Sequence, residues 1–441
     1  MTGPAPGLII AAPASGSGKT VLTLGLLRAL VRGGCNVASA KVGPDYIDPA
    51  YHAAAVGRPC LNLDGWAMRR QTLDALVQKL SASADLVIAE GVMGLFDGAV
   101  DGTGSTADLS ARTGWPVLLV VDVRGQAASA AAVVLGMTRF RSDVRIAGVV
   151  FNRIGGAGHR RAIEKAMRDV CPGIPVVGFV PRTDALHLPS RHLGLVQAGE
   201  HLDQEIFLDG AADLIAKSID LHSLSSLARG HVTGSAGTAP PLPAPGGRVA
   251  VARDDAFGFV YPNVLEGWRA EGAAIEFFSP LAGQPPSPSA DAIYLPGGYP
   301  QLHTGPLAAG RSFLDGLRRA SDRGISIYGE CGGYMVLGES LVDSDGRAHR
   351  MAGLLPLTTS FAEPRLHLGY RRASALDAFA FGGRGAGFRG HEFHYATILE
   401  EGSGAPLFDL SDAAGEKRGT GGRINGSVAG SFVHLIDRSD P

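Results

Sequence analysis

The first half of the chain alternates nearly continuous apolar runs with longer amphipathic stretches. The first apolar run, at residues 7–12, is followed by an amphipathic stretch from Lys19 to Val31. Strands that are apolar throughout are buried on both faces, and strands separated by helices form a parallel sheet. The pattern therefore predicts an α/β domain with a parallel sheet. The apolar runs are residues 7–12, 37–43, 85–92, 116–123, 145–154 and 175–181.

This alternation stops between residues 233 and 247, where the sequence reads TGSAGTAPPLPAPGG. A stretch so rich in Pro, Gly, Ala and Thr cannot form a packed element and indicates a linker. A second alternation of strands and helices begins at Arg248, with a helix predicted near Asn263 to Ala270. We expect two α/β domains joined by a flexible connection. The predicted division is a first domain at 1–222, a linker at 223–246 and a second domain at 247–441.

Length and composition indicate two or three globular domains and limit the classes of partner that we expect. The 441 residues are too many for one ordinary core. The formal net charge of -2 gives no reason to expect binding to nucleic acid or to an anionic membrane. The four cysteines lack paired metal spacing, which is typical of reduced thiols in the cytoplasm. No segment resembles a signal peptide or a membrane span, so we expect a cytoplasmic protein.

Residues 12–20, APASGSGKT, predict a phosphate-binding loop between the first strand and the first helix. Backbone N–H groups of this turn can cradle phosphate oxygens, Lys19 can reach the terminal phosphates, and the Thr20 hydroxyl can ligate Mg²⁺. Pro13 stands where such loops usually have glycine, but the glycines nearest the phosphates are kept. The alternative is a simple glycine-rich turn. The predicted nucleotide-binding residues are Ser15, Gly16, Ser17, Gly18, Lys19 and Thr20.

Acidic side chains follow several predicted strands at the sheet edge where the phosphate loop lies. We expect Asp45 and Glu90 to hold Mg²⁺ or handle substrate, because carboxylates bind Mg²⁺ directly or through water. Asp97 lies in the loop beyond Glu90. Each acid alone could instead be a solvated carboxylate or a helix cap. Asn152 follows another strand and could contact adenine or occupy a turn. Asp48 and Asp122 follow strands in the same way, and both interpretations stay open for them.

The second domain contains ISIYGECGGYMVLG at residues 325–338, which predicts a strand, a tight turn at Cys331 and a helix. This pattern is typical of a nucleophile elbow, and the helix N-terminus is expected to lower the pKa of the thiol. The backbone N–H groups of Gly332 and of Gly298 are candidates for an oxyanion hole. The alternative is a buried structural cysteine.

A cysteine nucleophile needs a base, and three histidines are candidates for it. They are His391, His394 and His434. Spacing along the chain does not decide among them.

Together these motifs resemble the cobyrinate/hydrogenobyrinate a,c-diamide synthases of vitamin B12 biosynthesis. The resemblance covers essentially the whole chain and is carried by VGPDYIDP, EGVMGLFDG, LPGGYP, GECGGYM and a late Phe-x-His. It implies an N-terminal ATP-dependent amidoligase domain similar to dethiobiotin synthetase. It also implies a C-terminal glutamine amidotransferase domain of the triad type, class I.

The resemblance further implies a reaction and its participants. Cys331 is expected to attack the side-chain amide of L-glutamine, with His434 activating it, and ammonia is released. ATP with Mg²⁺ is expected to phosphorylate the a and c carboxylates of a corrinoid, from which ammonia displaces phosphate. Asp45, Glu90 and Asp97 match acids implicated in handling nucleotide, metal or carboxylate. A homodimer is compatible with the sequence.

One position departs from the wider amidotransferase pattern. The usual carboxylate two residues after the histidine is replaced by Ile436, and Asp437 would point to the other face of an extended strand. We therefore predict a Cys–His dyad whose histidine is oriented by another group, such as a backbone carbonyl. A modest glutaminase rate is expected until the other site is loaded.

Three alternatives to amidation of metal-free hydrogenobyrinic acid remain. They are the same reaction on cobalt-containing cobyrinic acid, a cobyric acid synthase acting on four other carboxylates, and a P-loop switch ATPase. The switch proteins carry an additional early lysine in the loop and have no cysteine elbow. Arg182 and Arg191 are candidates for clamping corrinoid carboxylates.

Overall fold

The computed structural model describes residues 4–183, 186, 190–191, 194–195, 197–200, 203–230 and 240–439. The chain divides into two compact units. Unit 1 comprises Met1–Trp66 and Arg70–Thr238, and unit 2 comprises Ala67–Arg69 and Ala239–Pro441.

Unit 1 alternates strands and helices from its first strand onward. Its strands are β1 (Gly7–Ala11), β2 (Val37–Val42), β3 (Leu61–Leu63), β4 (Leu86–Glu90), β5 (Val117–Asp122), β6 (Ile146–Ile154), β7 (Val176–Pro181), β8 (Ser190–Arg191) and β9 (Gly194–Leu195). Its helices are α1 (Lys19–Arg32), α2 (Ile47–Val56), α3 (Arg70–Ala82), α4 (Thr106–Thr113), α5 (Ser129–Phe140), α6 (Ala157–Val170), α7 (Gln204–Ser218) and α8 (Leu221–Leu227).

The central sheet of unit 1 is parallel throughout, with the order β3-β2-β4-β1-β5-β6-β7. This confirms the predicted α/β class. Strands β2, β3 and β4 lie on one side of β1 and strands β5, β6 and β7 lie on the other, so the strand order reverses at β1. Ligands of such sheets bind outside the carboxyl ends of the strands at this reversal, where the loop between β1 and α1 lies.

Two details of unit 1 differ from the sequence expectations. Strand β3 was not predicted, because three residues, LNL, form too short an apolar run to be recognised. The predicted domain boundary after residue 222 falls inside helix α8. Within the predicted linker, 231–239 lie outside the described residues, and Leu242 is buried in unit 2.

Unit 2 combines a parallel half with an antiparallel half. Its strands are β10 (Arg248–Ala252), β11 (Ala274–Phe278), β12 (Ala292–Leu295), β13 (Ser326–Glu330), β14 (Ser340–Val342), β15 (Ala348–Arg350), β16 (Leu357–Ser360), β17 (His367–Ala375), β18 (Gly387–His394), β19 (Thr397–Glu401), β20 (Ala405–Ser411), β21 (Lys417–Asn425), β22 (Val428–Ser431) and β23 (His434–Arg438). Its helices are α9 (Pro262–Ala270), α10 (Thr304–Ala309), α11 (Arg311–Asp322) and α12 (Gly332–Leu337).

The main sheet of unit 2 has ten strands in the order β11-β10-β12-β13-β22-β21-β20-β17-β18-β23. Strands β11 to β22 in this order are parallel, and the remaining neighbours are antiparallel. A separate four-stranded sheet has the order β15-β14-β16-β19. Among the described helices of the chain, none has both the length and the apolar character that a membrane span requires.

Candidate functional site

The loop between β1 and α1 has the backbone that phosphate binding requires. Gly16 and Gly18 have φ values of 75° and 86°, which favour glycine. A Cβ atom at Gly18 would lie 2.3 Å from Nδ2 of Asn152. That amide donates a hydrogen bond to the Ser17 carbonyl at 2.9 Å, and Arg153 donates to the Gly16 carbonyl at 2.9 Å. Strand β6 therefore fixes the loop conformation, and a contact of Asn152 with adenine stays a prediction.

Lys19 is buried beside this loop, and backbone carbonyls hold its ammonium group. Its Nζ donates to the carbonyl of Met93 at 2.6 Å and lies 3.5 Å from that of Ala14. Burial lowers the pKa of Lys19, partly offset by nearby carboxylates. The Met93 loop is in turn held by Asp97, which accepts from the Gly94 N–H at 2.9 Å. Asp97 thus shapes the segment that contacts Lys19.

A compact charged cluster lies next to Thr20. The Thr20 hydroxyl is 2.8 Å from Oε1 of Glu90 and 3.5 Å from Oδ2 of Asp48. The Lys41 ammonium contacts Asp48 and lies 2.9 Å from Oε1 of Glu90. Nε2 of His52 is 2.7 Å from the other oxygen of Glu90. All four ionisable side chains are buried, so each charge depends on its partners.

The pKa directions in this cluster follow from burial and from these pairs. Burial raises the pKa of Glu90, but Lys41 and His52 outweigh it and hold that pKa below its ordinary value. Burial lowers the pKa of His52, but its contacts with Cys60 and Glu90 raise it to about 10. Burial and the neighbouring carboxylates raise the pKa of Asp48 to about 6.

The oxygen atoms around Thr20 suit a magnesium ion, whereas a role of Asp45 in holding that ion stays a prediction. Thr20, Glu90 and Asp48 bring a hydroxyl and carboxylates together, and Mg²⁺ prefers such hard oxygen donors. The described residues contain no group of three or more His, Cys, Asp or Glu that could hold a metal ion alone. Ligand and water oxygens would complete the shell. Asp45 accepts hydrogen bonds from the Ile47 and Asp48 N–H groups at 2.8 and 3.2 Å, which caps helix α2.

Sequence reasoning missed Lys41 and His52. Lys41 is the one charged residue of the apolar strand β2, and His52 stands in the apolar helix α2. A charge inside an otherwise buried run requires a partner, and this was the available signal. Asp122 forms an ion pair with Arg153 at 2.5 Å. Arg182 is exposed, and the side chain of Arg191 lies outside the described part.

In unit 2, the turn at Cys331 has the strained geometry of a nucleophile elbow. Cys331 has φ 49° and ψ −101°, a backbone conformation that residues other than glycine rarely adopt. A Cβ atom at Gly333 would lie 2.0 Å from the Leu295 carbonyl oxygen. One at Gly332 would lie 3.1 Å from the backbone nitrogen of Gly298. The two amides predicted for the oxyanion hole are therefore close neighbours.

Burial dominates the electrostatics of Cys331. The residue is 3% exposed within the core of unit 2, and burial raises the pKa of its thiol. The expectation that the helix N-terminus lowers this pKa is therefore wrong. Helix α12 has only six residues, and desolvation of a thiolate outweighs its contribution. A thiolate at this position would need a compensating charge nearby.

Of the three candidate histidines, His434 lies against the Gly-Gly loop. A Cβ atom at Gly297 would approach its Cε1 to 2.4 Å, and burial lowers the pKa of His434 to about 3. The ring is therefore uncharged at neutral pH, and its burial disfavours the imidazolium form. His391 stacks on His434 with ring centroids 4.9 Å apart, and its Nε2 is 3.1 Å from the Tyr261 hydroxyl. His394 has its Nδ1 3.1 Å from the carbonyl oxygen of Ala396.

Asp437 has a structural partner. Its carboxylate accepts hydrogen bonds from the backbone N–H and the Nε of Arg69 at 2.8 and 2.9 Å. Asp437 is buried, the side chain of Arg69 is 9% exposed, and both residues belong to unit 2, so this ion pair is part of the packing of that unit.

Comparison with known proteins identifies the family. The family model described as CobQ/CobB/MinD/ParA nucleotide binding domain matches residues 8–196. The one described as CobB/CobQ-like glutamine amidotransferase domain matches residues 248–441. A hydrogenobyrinate a,c-diamide synthase from Brucella anthropi is 53% identical over 433 residues, covering 98% of each chain. Enzymes of that name from Rhizobium meliloti and Rhodobacter capsulatus are 52% and 53% identical, covering 98% of this chain and 100% and 98% of theirs.

The chain belongs to the hydrogenobyrinate a,c-diamide synthase family. It is a glutamine-hydrolysing ligase that carries out glutamine-dependent amidation, with a nucleotide-binding domain and a glutamine amidotransferase domain. The resemblance inferred from the motifs is thereby confirmed.

Proposed function

We propose that the protein amidates the a and c carboxylates of hydrogenobyrinic acid, using ATP and glutamine, through acyl-phosphate intermediates. The observation that carries this proposal is that one chain contains both a phosphate loop and a strained cysteine elbow. The relatives of this chain are named hydrogenobyrinate a,c-diamide synthase. Amidation of a carboxylate needs both an activated acyl group and a nitrogen nucleophile. The two units supply the chemistry for these two needs.

The activation step belongs to unit 1. A carboxylate oxygen of the substrate attacks the γ-phosphorus of ATP, ADP leaves, and an acyl phosphate forms. Such a transfer depends mainly on positioning and on cations near the phosphates. The backbone N–H groups of the loop and Lys19 would bind the phosphates, with Thr20, Glu90 and Asp48 holding Mg²⁺. The bound ion would screen the charge of the phosphate oxygens.

The nitrogen is supplied by unit 2. The thiol of Cys331 transfers its proton to His434, and the resulting thiolate attacks the amide carbon of glutamine. The N–H groups of Gly298 and Gly332 would stabilise the oxyanion. His434 returns the proton to the departing ammonia, and water then hydrolyses the thioester to glutamate. Ammonia attacks the acyl phosphate and displaces inorganic phosphate, which leaves the amide.

Mass analysis of the product tests this division of labour. Wild-type protein with ATP, glutamine and hydrogenobyrinic acid should give the a,c-diamide. Cys331→Ala should form the diamide only when an ammonium salt is added. Lys19→Ala should form no diamide with either glutamine or an ammonium salt. Cys171→Ala is the matched control, because Cys171 is also buried but lies in unit 1. Glutamine-dependent product from Cys331→Ala would overturn the proposal.

The cobalt-containing substrate, cobyrinic acid, is the second candidate for this enzyme. The names of the relatives favour the metal-free corrinoid. A direct comparison of kcat/KM for the two corrinoids tests this preference, and a larger value for cobyrinic acid would reverse it. A homodimer stays a prediction, to be tested by light scattering.

A further inference from the structure

The residue immediately before the candidate nucleophile, Glu330, has its carboxyl group next to the candidate base. Glu330 is 1% exposed at the end of strand β13. Its Oε1 lies 3.2 Å from Nδ1 of His434 on strand β23. The hydroxyl of Tyr294 on strand β12 donates to the same oxygen at 3.2 Å. The backbone N–H of Leu435 donates to Oε2 at 3.1 Å.

These contacts present donors to both oxygens of a buried carboxyl group. The Tyr294 hydroxyl donates, as does the Leu435 N–H, and an imidazole can donate through Nδ1. Hydrogen bonds to the charged form favour a carboxylate, and an unpaired buried carboxylate would be costly. We propose that Glu330 is the positioning residue that orients His434, in place of the carboxylate that other amidotransferases carry two residues after the histidine. This inference rests on the roles proposed above for Cys331 and His434.

Three other residues on strand β23 or beside it either lack an acid group or make different contacts. Ile436, at the usual acid position, is apolar and buried. Asp437 pairs with Arg69. His391 covers the face of the His434 ring.

A carboxylate next to Nδ1 of His434 determines which ring nitrogen can act as the base. With Nδ1–H directed at Glu330, the lone pair of His434 is on Nε2, the nitrogen then able to accept the thiol proton. The imidazolium formed in that step is stabilised by the carboxylate, which keeps its own charge. Nδ1 and Oε1 are within hydrogen-bonding distance but are not aligned as a full hydrogen bond. Catalytic hydrogen bonds are often poorly aligned until substrate is bound.

The arrangement also makes glutamine hydrolysis depend on pH. Burial raises the pKa of Glu330 to about 8, and its Leu435 and Tyr294 contacts oppose that increase. The other ionisable groups facing it are Tyr328, Cys331 and His434. When protonated, Glu330 would donate its proton towards Nδ1 and favour the tautomer that cannot accept from the thiol. The rate should therefore rise with pH as Glu330 ionises.

Steady-state glutaminase kinetics of the full chain across pH test this inference. Glu330→Gln should lower kcat by about a hundredfold or more, leave KM for glutamine within about threefold, and abolish the rise of kcat with pH. Its amidation with an ammonium salt should equal that of wild type. Glu339→Gln, a nearby exposed glutamate, is the control and should match wild type throughout. A Glu330→Gln enzyme with wild-type kcat and pH profile would overturn the inference.

Two outcomes separate this inference from the proposed function. Wild-type protein that forms no glutamate from glutamine would contradict the proposed function. If Glu330→Gln does not fold, nitrogen-15 NMR of histidine-labelled wild-type protein decides, with His434 assigned from a His434→Gln spectrum. The Nδ1–H tautomer at high pH supports the positioning role, and the Nε2–H tautomer refutes it.

Discussion

Replacing Lys41 with methionine tests the electrostatic account of the phosphate site most severely. Lys41 is 3% exposed and stands between Asp48 and Glu90, which are also buried. Methionine keeps most of the side-chain volume but removes the charge. The substitution leaves two buried carboxylates, with His52 in contact with Glu90 and Lys19 close enough to interact electrostatically with both.

The magnitude follows from the burial of this group. Removing one partner of a buried ion pair costs about 3–5 kcal/mol, because the remaining charge stays desolvated. Protonation of Asp48 offers a partial escape, since burial and its acidic neighbours already raise its pKa to about 6. Loss of Lys41 raises that pKa further. We therefore expect Lys41→Met to lower the free energy of unfolding by about 3 kcal/mol at pH 8 and by clearly less at pH 5.

Urea unfolding read by tryptophan fluorescence measures this change. The chain has three tryptophans, and a Trp268→Phe background leaves Trp66 and Trp115, both in unit 1. Lys165→Met is the matched control, because Lys165 pairs with Asp169 at 2.6 Å while 74% of its side chain is exposed. That control should change stability by less than about 0.5 kcal/mol. A Lys41→Met effect below about 1 kcal/mol at pH 8, or equal at both pH values, would refute the reasoning.

Three further results are expected. Gly18→Ala should weaken ATP binding at least about tenfold, since φ is positive and the site is crowded, whereas Gly136→Ala, with open space around it, should not, as calorimetry can show. Asp437→Asn should leave glutaminase kcat within about threefold of wild type but lower the melting temperature, because its carboxylate serves an ion pair; a large kcat loss would contradict this. The pKa of His52, raised to about 10 from 6.5, adds stability that is complete below pH 6.5 and is lost as pH rises through 10. A His52→Asn variant should therefore show a flatter alkaline unfolding profile than wild type, and an unchanged profile would count against a protonated His52.

The sequence predicts the parallel sheet of unit 1 and the parallel part of the main sheet of unit 2. It does not predict the antiparallel part of that second sheet. Strands such as β4 are apolar throughout, so they stand out as continuous runs. Strand β21, KRGTGGRIN, carries charges and glycines and is mostly exposed. Its strand conformation depends on pairing with β20 and β22, which no local pattern reveals.

The sequence likewise predicts some residues of the candidate sites and not others. The phosphate loop and the Cys331 elbow depend on local turns, where glycines at fixed spacing report a backbone constraint. Lys41 and His52 depend on contacts between different elements, and a buried lysine has no local signature beyond its apolar neighbours. Asp45 had two interpretations: its side chain accepts hydrogen bonds from N–H groups at the start of helix α2, and its role in metal binding stays a prediction.

The central claim is that phosphate activates the carboxylate before ammonia attacks it. Hydrogenobyrinic acid labelled with oxygen-18 in its carboxylates, incubated with ATP and glutamine, tests this step directly. Mass analysis of the inorganic phosphate should find one labelled oxygen for each amide formed, since the acyl-phosphate oxygen leaves with phosphorus. Unlabelled phosphate accompanying labelled diamide would contradict the account.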